Sequence, residues 1–530
     1  DWSYREEITI PIKTNEESAE YQPIDIYFEF KNKCWGKNET AHSIRTCCWS
    51  NNKWYELENQ IYNIEHEDSE SYIEKCGIIF LIPEFADGNE RYFIYYDENQ
   101  KPEPNYDNHV DITDEYYYFE PIKGISAEGD YYKITEDSFC VFGIGQKGKV
   151  IDRKLSQTVL KLKPNTKDFD ITKLGAIANY GFSYYIGEDD KYEISSDESL
   201  IAKQILIDGN LMVQARILSE SEQKNIRTSN IYTYYYCPTD DKRINLHIKH
   251  EILKDDNVEG NINVDGKYGA VFSINSKSET IKKMRFGDVL PYIHVYHEDD
   301  NIREYLINED PEDKKREWII SYEDDCDLGE KAWLSYDQGK TGIAQGMIFK
   351  SNSDLIKHSQ KDRDGIQIKV SQKEYMDALG AEIDYVAINF GRNSYEKNKE
   401  HDLNIREGLT VEFDSEFFIT EDGGYPRVEE EARIYQELIK YRNNIDDGPI
   451  EGEQKIHTLV VIPRLTGRIM SHPFLSNITG IKITSVCAEL YKDNKFISKQ
   501  YSQKPLFGAP RIIFPKLSSG KYVVKLFREI

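Results

Sequence analysis

Basic residues are scarce in this chain: 67 lysines and arginines stand against 94 aspartates and glutamates, for a net charge of −27. Such a surface repels phosphate backbones and offers no basic stripe, which sets nucleic acid aside as a partner. Long apolar runs are missing as well. No stretch approaches the ~18–20 residues that a membrane-crossing helix needs, so no transmembrane segment is expected. The eight cysteines are scattered (Cys34, Cys47, Cys48, Cys76, Cys140, Cys237, Cys326, Cys487), and none forms a Cys-x-x-Cys pair. That removes the zinc ribbon and the dithiol redox motif. Neither "GxSxG" nor "HExxH" occurs, so a serine elbow and a helical zinc site are absent too. A glycosidase carboxylate pair cannot be chosen among 94 acids without geometry.

What is present is an ordinary globular balance, 39% hydrophobic and 30% charged, over 530 residues. At ~100–200 residues per domain, that length accommodates two to four domains. Tyrosine is abundant, 38 residues against 22 phenylalanines and 6 tryptophans. Tyrosine suits strands and half-wet surfaces, and sugars stack on its ring, so the excess fits glycan handling as well as plain strand propensity. The chain opens on Asp1-Trp2 without a methionine or a signal-like segment, from which a processed, exported, extracellular protein is expected. It closes on the strand-like "GKYVVKLFREI", and the native polypeptide is expected to continue past Ile530. An even cysteine count in an exported chain permits disulfides without fixing their pairing. Sequons at Asn38 and Asn477 mark two candidate glycosylation sites.

Period-2 alternation dominates. "EITIPI" places Ile8, Ile10 and Ile12 on one side, and "IDIYFEF" does the same with Ile24, Ile26, Phe28 and Phe30. Similar runs bounded by Gly, Asn, Asp and Pro follow, and Asp87-Gly88 reads as a hairpin turn between "IIFLIPEF" and "RYFIYY". One segment reads as a helix: "VEEEARIYQELIKYRNN", near 428–442, sets Ile434, Leu438 and Tyr441 on one stripe. The expected fold is all-β: tandem antiparallel β-sandwiches with one helix. The expected blocks are 1–105, a jelly-roll-like sandwich; 112–442, a large central sandwich ending in the helix; and 455–530, a small Ig-like or prealbumin-like sandwich.

The first block, with "WSYREEITIPI", "QPIDIYFEF" and "IIFLIPEFADGNERYFIYYDEN", resembles a lectin-like sandwich family of secreted prokaryotic proteins. That family opens on Trp-Tyr-Arg and closes on Tyr-Tyr-Gly-Asn. Here Asp97-Glu98-Asn99 replaces the Gly-Asn. The last block, through "AELYKDNKFISKQYS" and "IIFPKLSSGKYVVKLF", is similar to prealbumin-like and carboxypeptidase-regulatory-like sandwiches, which recur as spacers in archaeal and bacterial surface proteins. The resemblances imply export and a surface setting. They leave the central block unexplained.

Two nucleotide motifs fail on context, so no nucleotide cofactor is expected. "GIGQKG" (Gly143, Gly145, Gly148) is followed by strand-like alternation instead of the helix a pyrophosphate site requires. "QGKTG" lacks the first P-loop glycine, since Leu334 occupies its place. Calcium is the one ion the acidic clusters suit, at Asp325 and Asp327, Asp189 and Asp190, or Asp299 and Asp300. A solvated loop is the plainer reading of each.

The strand "YIHVYH" puts Ile293 and Val295 on one face and Tyr292, His294 and Tyr296 on the other, so His294 and His297 cannot share a metal. "RINLHIKHEI" sends Ile244, Leu246 and Ile248 inward and Arg243, Asn245, His247, Lys249 and Glu251 outward, while "IYTYYYC" sets Tyr232, Tyr234 and Tyr236 on a single face. If these strands are neighbours, the face carries the equipment of a uronic-acid lyase. A cation such as Arg243 would neutralise the carboxylate, and His247, His294 or Tyr296 would move protons. It equally suits a glycan-binding platform of Tyr232, Tyr234, Tyr236, Tyr292 and Lys249, or a plain solvated face. The leading expectation is an exported structural or adhesive surface protein, of surface-layer type, partnered by copies of itself, other envelope proteins or polysaccharide. The rival is a polysaccharide lyase whose central sandwich is catalytic.

Overall fold

The computed structural model describes residues 2–67, 71–122, 125–136, 139–148, 155–160, 176–186, 191–194, 199–220, 224, 226–253, 256–258, 270–280, 290–297, 299–307, 317–320, 328, 330–351, 367–371, 382–390, 403–405, 407–408, 410–442, 453–461, 469–470, 486–492, 495–501, 513–514 and 522–529. The all-β expectation holds, with every strand pairing among these residues antiparallel.

The alternating N-terminal runs build two sheets. One orders Tyr4–Ile8, Arg91–Tyr96, Ile44–Ser50 and Lys53–Leu57; the other orders Pro23–Trp35, Tyr72–Leu81 and Asn59–His66. Ile44, Ile61, Ile73, Ile78, Ile94 and Tyr96 meet between them. The expected hairpin at Asp87-Gly88 is corrected here. Gly88 does turn, at φ +86°, but the flanking strands belong to different sheets, so the connection crosses the sandwich. Turn chemistry specifies a reversal; only the inward isoleucines on each strand decide which sheet it joins.

The central block is a larger sandwich. A ten-stranded sheet runs from Glu317–Ile320 at one edge to Val110–Ile122 at the other. Within it Gly143, Gly145 and Gly148 pair with Leu160, Thr158 and Leu155 of the following strand, as the alternation after them predicts. A nine-stranded sheet faces it, in the order Ser199–Asp208, Met212–Glu220, Ile226–Tyr235, Lys242–Ile252, Thr410–Thr420, Ala344–Phe349, Trp333–Asp337, Tyr292–Tyr296 and Ile302–Leu306. Ile112, Ile134 and Phe142 of the first sheet pack on Val213, Ile244 and Leu246 of the second. Each such side chain fully removed from water contributes ~1.5–3 kcal/mol. Near the C-terminus, Glu453–Val461, Tyr522–Glu529, Val486–Lys492 and Lys495–Tyr501 form a four-stranded sheet.

The other face of the nine-stranded sheet is covered. The helix Gly424–Leu438 lies across it, starting four residues before its predicted start: Pro426 fits a first turn whose backbone N–H groups have no partner within the helix, and the Gly424 and Tyr425 N–H groups bond instead to the Gly342 and Gly339 carbonyls. Val428, Ala432 and Tyr435 pack on Trp333, Ile348 and Phe418 of the sheet, while Ile434 and Leu438 enter the N-terminal sandwich beside Ile24, Phe80 and Tyr92. Tyr441, predicted for the same stripe, falls beyond the helix and is 56% exposed. Two glycines permit this seat. A Cβ on Gly346 would stand 2.6 Å from Val428, and one on Gly424, at φ +57°, would stand 2.1 Å from the Gly339 carbonyl oxygen.

Between the helix and the two layers lies a dry charge cluster. Glu431 of the helix stands 2.7 Å from Arg243 of the sheet, 3.0 Å from Arg427, and accepts a 2.8 Å hydrogen bond from Gln22 of the N-terminal sandwich. Arg427 also reaches Asp241 at 2.8 Å. Burial pushes the Glu431 carboxyl up, but Arg243 and Arg427 together outweigh it and hold it below the ordinary carboxylate range. Glu416 is the opposite case: burial, reinforced by the charge of Glu431, raises it to about 8.

Removing Glu431 strands Arg243 in the interior, so Glu431→Ala is expected to cost ~3–5 kcal/mol. The check is a fall in the urea midpoint with an unchanged slope. Glu416 titrates near ~4.3 in the unfolded chain and higher in the folded one, so the folded state binds the extra proton. Its contribution to stability is complete at acid pH and is lost as pH climbs through about 8. Glu416→Gln, which mimics the protonated form, should therefore gain stability over the native chain above pH ~8 and little at pH ~5. Melting curves at the two pH values read this out, and an equal gain at both would refute it.

Candidate polyol pocket

Most of the predicted site is broken up by burial. Tyr232 and Tyr234 are 0% exposed, Arg243 1%, His294 2% and Tyr296 4%. Register explains the tyrosines: Tyr232 stands opposite Leu246 and Tyr234 opposite Ile244, so they share the core face. Tyr234 spends its hydroxyl on Glu136, at 2.6 Å. They share one face, as expected, but it is the inner one. Tyr236 stacks on His109 with ring centroids 4.3 Å apart. Arg243 is held by Glu431 under the helix. His294 stacks on Tyr425, with centroids 3.9 Å apart, and its ring nitrogens stand 2.9 Å from Asp337 and 2.9 Å from Glu304. Tyr292 lies half-buried beside it, and Lys249 pairs with Glu251 at 3.4 Å.

The acidic candidates divide. Asp299 pairs with His297 at 2.9 Å and Arg303 at 3.4 Å, while Asp300 accepts from the Tyr296 hydroxyl at 2.6 Å, so the two carboxylates serve different partners. Asp189, Asp190, Asp325 and Asp327 lie outside the described residues, as does Asn477. Among the described residues no three His, Cys, Asp or Glu converge as a metal group. Asn38 is exposed, its side chain closing a turn onto Thr40 and Ala41. Cys34, Cys47, Cys48, Cys76 and Cys237 are free thiols.

One predicted residue, His247, does reach a cavity. The pocket has a volume of 170 Å³ and opens where the N-terminal sandwich, the nine-stranded sheet and the helix end meet. Drug-sized ligands take sites of ~300–1,000 Å³, so this one fits a single small polar ring. Its floor is Asp25, whose carboxylate oxygens each accept a 2.6 Å bond, one from the Tyr62 hydroxyl and one from the Tyr235 hydroxyl. Burial raises the Asp25 carboxyl, against the pull of those hydroxyls and of Arg442.

One wall comes from the sheet. On Lys242–Ile252 the outward set is as read from the sequence, but the layer above closes over Arg243 and Asn245, and partial exposure returns only at His247. His247 Nδ1 stands 2.9 Å from Asp414 and its Nε2 3.5 Å from Glu412. Burial pushes the Asp414 carboxyl up, yet His247, with Lys350 and Arg442 in support, holds it below the ordinary range. Lys350 and Glu412 are the more exposed side chains and form the mouth.

The opposite wall is the chain just after the helix. The Arg442 guanidinium lies 5.0 Å over the Tyr235 ring and 5.5 Å over that of Tyr435, and its Nη1 donates to Asn245 Oδ1. Three buried polar atoms of this lining have no hydrogen-bond partner: Asn245 Nδ2, Arg442 Nε and the Tyr435 hydroxyl. Of the polar lining, only Asn245 and His247 were named from the sequence. Tyr235 sits inside the "IYTYYYC" run with the opposite parity to the tyrosines chosen, and that change of face was the available signal. Asp25, Asp414 and Arg442 gave none, being single polar residues from segments far apart in the chain.

No family model matches the chain, and no curated protein sequence does. Solved structures similar to it include an alpha-mannosidase from Enterococcus faecalis V583, at 8% identity and a TM-score of 0.39, covering 97% of this chain and 56% of that one. A glycosyl hydrolase family 38 protein from Enterococcus faecalis is similar at 8% identity and a TM-score of 0.35, covering 98% of this chain and 59% of the other. A galactose mutarotase related enzyme from Lactobacillus acidophilus has 8% identity and a TM-score of 0.28, with 55% of this chain and 97% of that one covered. This chain thus spans just over half the length of the two Enterococcus proteins. All three are carbohydrate-related by title, and a likeness this low in TM-score carries no argument about activity.

The His247–Asp414 contact makes a prediction of its own. His247→Ala should let the Asp414 carboxyl rise toward its ordinary value, since the largest opposing influence is gone. A carboxyl-carbon NMR titration of Asp-labelled protein reads this directly. An unmoved Asp414 would show that the histidine does not hold it.

Proposed function

We propose that the chain is an exported cell-surface protein that binds carbohydrate in the His247 pocket without turning it over. The observation that carries this reading is the pocket's size and lining together: a 170 Å³ space with tyrosine rings at Tyr62, Tyr235 and Tyr435 among carboxylates, amides and cations. Sugar rings present apolar C–H faces that pack on aromatic rings and hydroxyls that need donors and acceptors close by. A second feature supports an adhesive role. On the outer face of the N-terminal sandwich Trp54 is 46% exposed, lies 4.9 Å from Trp49 and 5.7 Å from Tyr95 by ring centroids, and carries Arg5 at 5.7 Å.

The lyase reading, as drawn from the sequence, required Arg243, His247, His294 and Tyr296 around one groove. Burial separates them. What remains of an enzymatic reading is the His247–Asp414 pair, a histidine oriented by a carboxylate as a general base would be.

Titration calorimetry against a panel of monosaccharides and short glycans tests the proposal. Binding is expected for at least one sugar class at millimolar concentration, and Tyr235→Ala is expected to weaken it at least tenfold. No binding across the panel would overturn the reading. Appearance of unsaturated or shortened products would replace binding by catalysis.

A further inference from the structure

Within the pocket the hydrogen-bond inventory is lopsided. Four of its acceptor atoms are taken: both Asp25 oxygens by Tyr62 and Tyr235, Asp414 Oδ1 by His247, and Thr233 Oγ1 by Gln214 Nε2, at 2.9 Å. The unused groups are the Asn245 amide N–H, the Arg442 Nε–H and the Tyr435 hydroxyl, all buried. The Asn245 amide cannot be turned to hide its deficit, because Arg442 donates to its Oδ1 and so fixes Nδ2 as the idle end. Glu416, opposite Asn245 in the next strand, does not relieve it: neither of its oxygens is hydrogen-bonded to the Asn245 amide, and it does not line the pocket.

A neutral hydroxyl brings a donor with every acceptor it offers, whereas the buried idle groups here are chiefly donors. A carboxylate brings acceptors alone, with about four lone-pair sites on a planar group. It is the group that an arginine beside an amide and a phenol is built to receive. Resting on the glycan-binding reading above, we infer that the sugar taken by this pocket is a sugar acid, and that its carboxylate is received by Asn245, Tyr435 and Arg442. The chain's charge of −27 does not forbid an anion here, because surface charges beyond a screening length of ~8 Å at physiological salt contribute little. Of the nearer carboxylates, Asp25 and Asp414 are engaged with the donors already named, and burial raises Glu416 to about 8, which leaves it largely neutral at pH ~7.

The test compares glucuronate and galacturonate with their methyl esters, their parent neutral sugars and the corresponding sugar sulfates, by calorimetry on the full chain. Each free sugar acid should bind at least tenfold more tightly than its ester and neutral parent. Asn245→Asp keeps the shape of the side chain but opposes a carboxylate with like charge, and Tyr435→Phe removes one donor. Both should erase that preference, so that the free acid and its methyl ester bind alike. Melting curves of these variants confirm that they fold, which Arg442→Gln, at a packed stacking position, does not guarantee.

Equal binding of acid and ester overturns this inference and leaves the glycan-binding reading standing. Failure of every sugar overturns both. Acid-selective binding that both variants leave untouched places the acid elsewhere and overturns the inference, and a preference for the sulfates over the free acids overturns the choice of carboxylate.

Discussion

Glu431 is the point at which the three layers of this protein are joined. It stands on the helix, faces Arg243 on the nine-stranded sheet and receives Gln22 from the N-terminal sandwich. Each partner is nearly dry, so each depends on the others to remain tolerable in the interior. Buried ion pairs of this kind add little net stability over an apolar replacement, but they penalise any arrangement that separates the partners. The cluster therefore acts chiefly as a register device for the helix. The apolar contacts on either side, with Val428 and Tyr435 toward the sheet and Ile434 and Leu438 toward the sandwich, supply the stabilisation.

A second latch lies near the far end of the same junction. Gln60 of the N-terminal sandwich accepts from the backbone N–H groups of Leu211 and Met212 at 2.8 and 2.7 Å and donates to the Met212 carbonyl at 3.2 Å. It grips a hairpin of the large sheet as a neighbouring strand would. Tyr62, Ile79, Met212 and Tyr235 fill the space beside it. The pocket is what the layers leave unfilled at their junction, which is why its lining is drawn from the sandwich, the sheet and the chain beyond the helix. Its floor is pre-set, since the Asp25 carboxylate is locked by two tyrosine hydroxyls from different layers.

Strand content and parity were legible in the residues. The alternation of Ile244, Leu246 and Ile248 against Arg243, Asn245 and His247 is real, and so is the helix around Glu431. The Asp87-Gly88 turn was legible as a turn but not as a passage between sheets, because turn residues encode a reversal and carry no address. The exposure of the outward face was misread for a related reason. Polar residues alternating with apolar ones signal a solvated face when nothing covers it, and here the helix, arriving from the far end of the central block, covers Arg243 and Asn245.

The sequence by itself determined an all-β chain, the sidedness of its strands and the single helix, because these follow from steric periods of two and 3.6 residues acting locally. Only the tertiary structure decided which of the two faces of each strand stayed wet. It alone brought Asp25, His247, Asp414 and Arg442 around one cavity. Burial is a property of the layer laid on top, and that layer comes from residues with no local relation to the strand beneath.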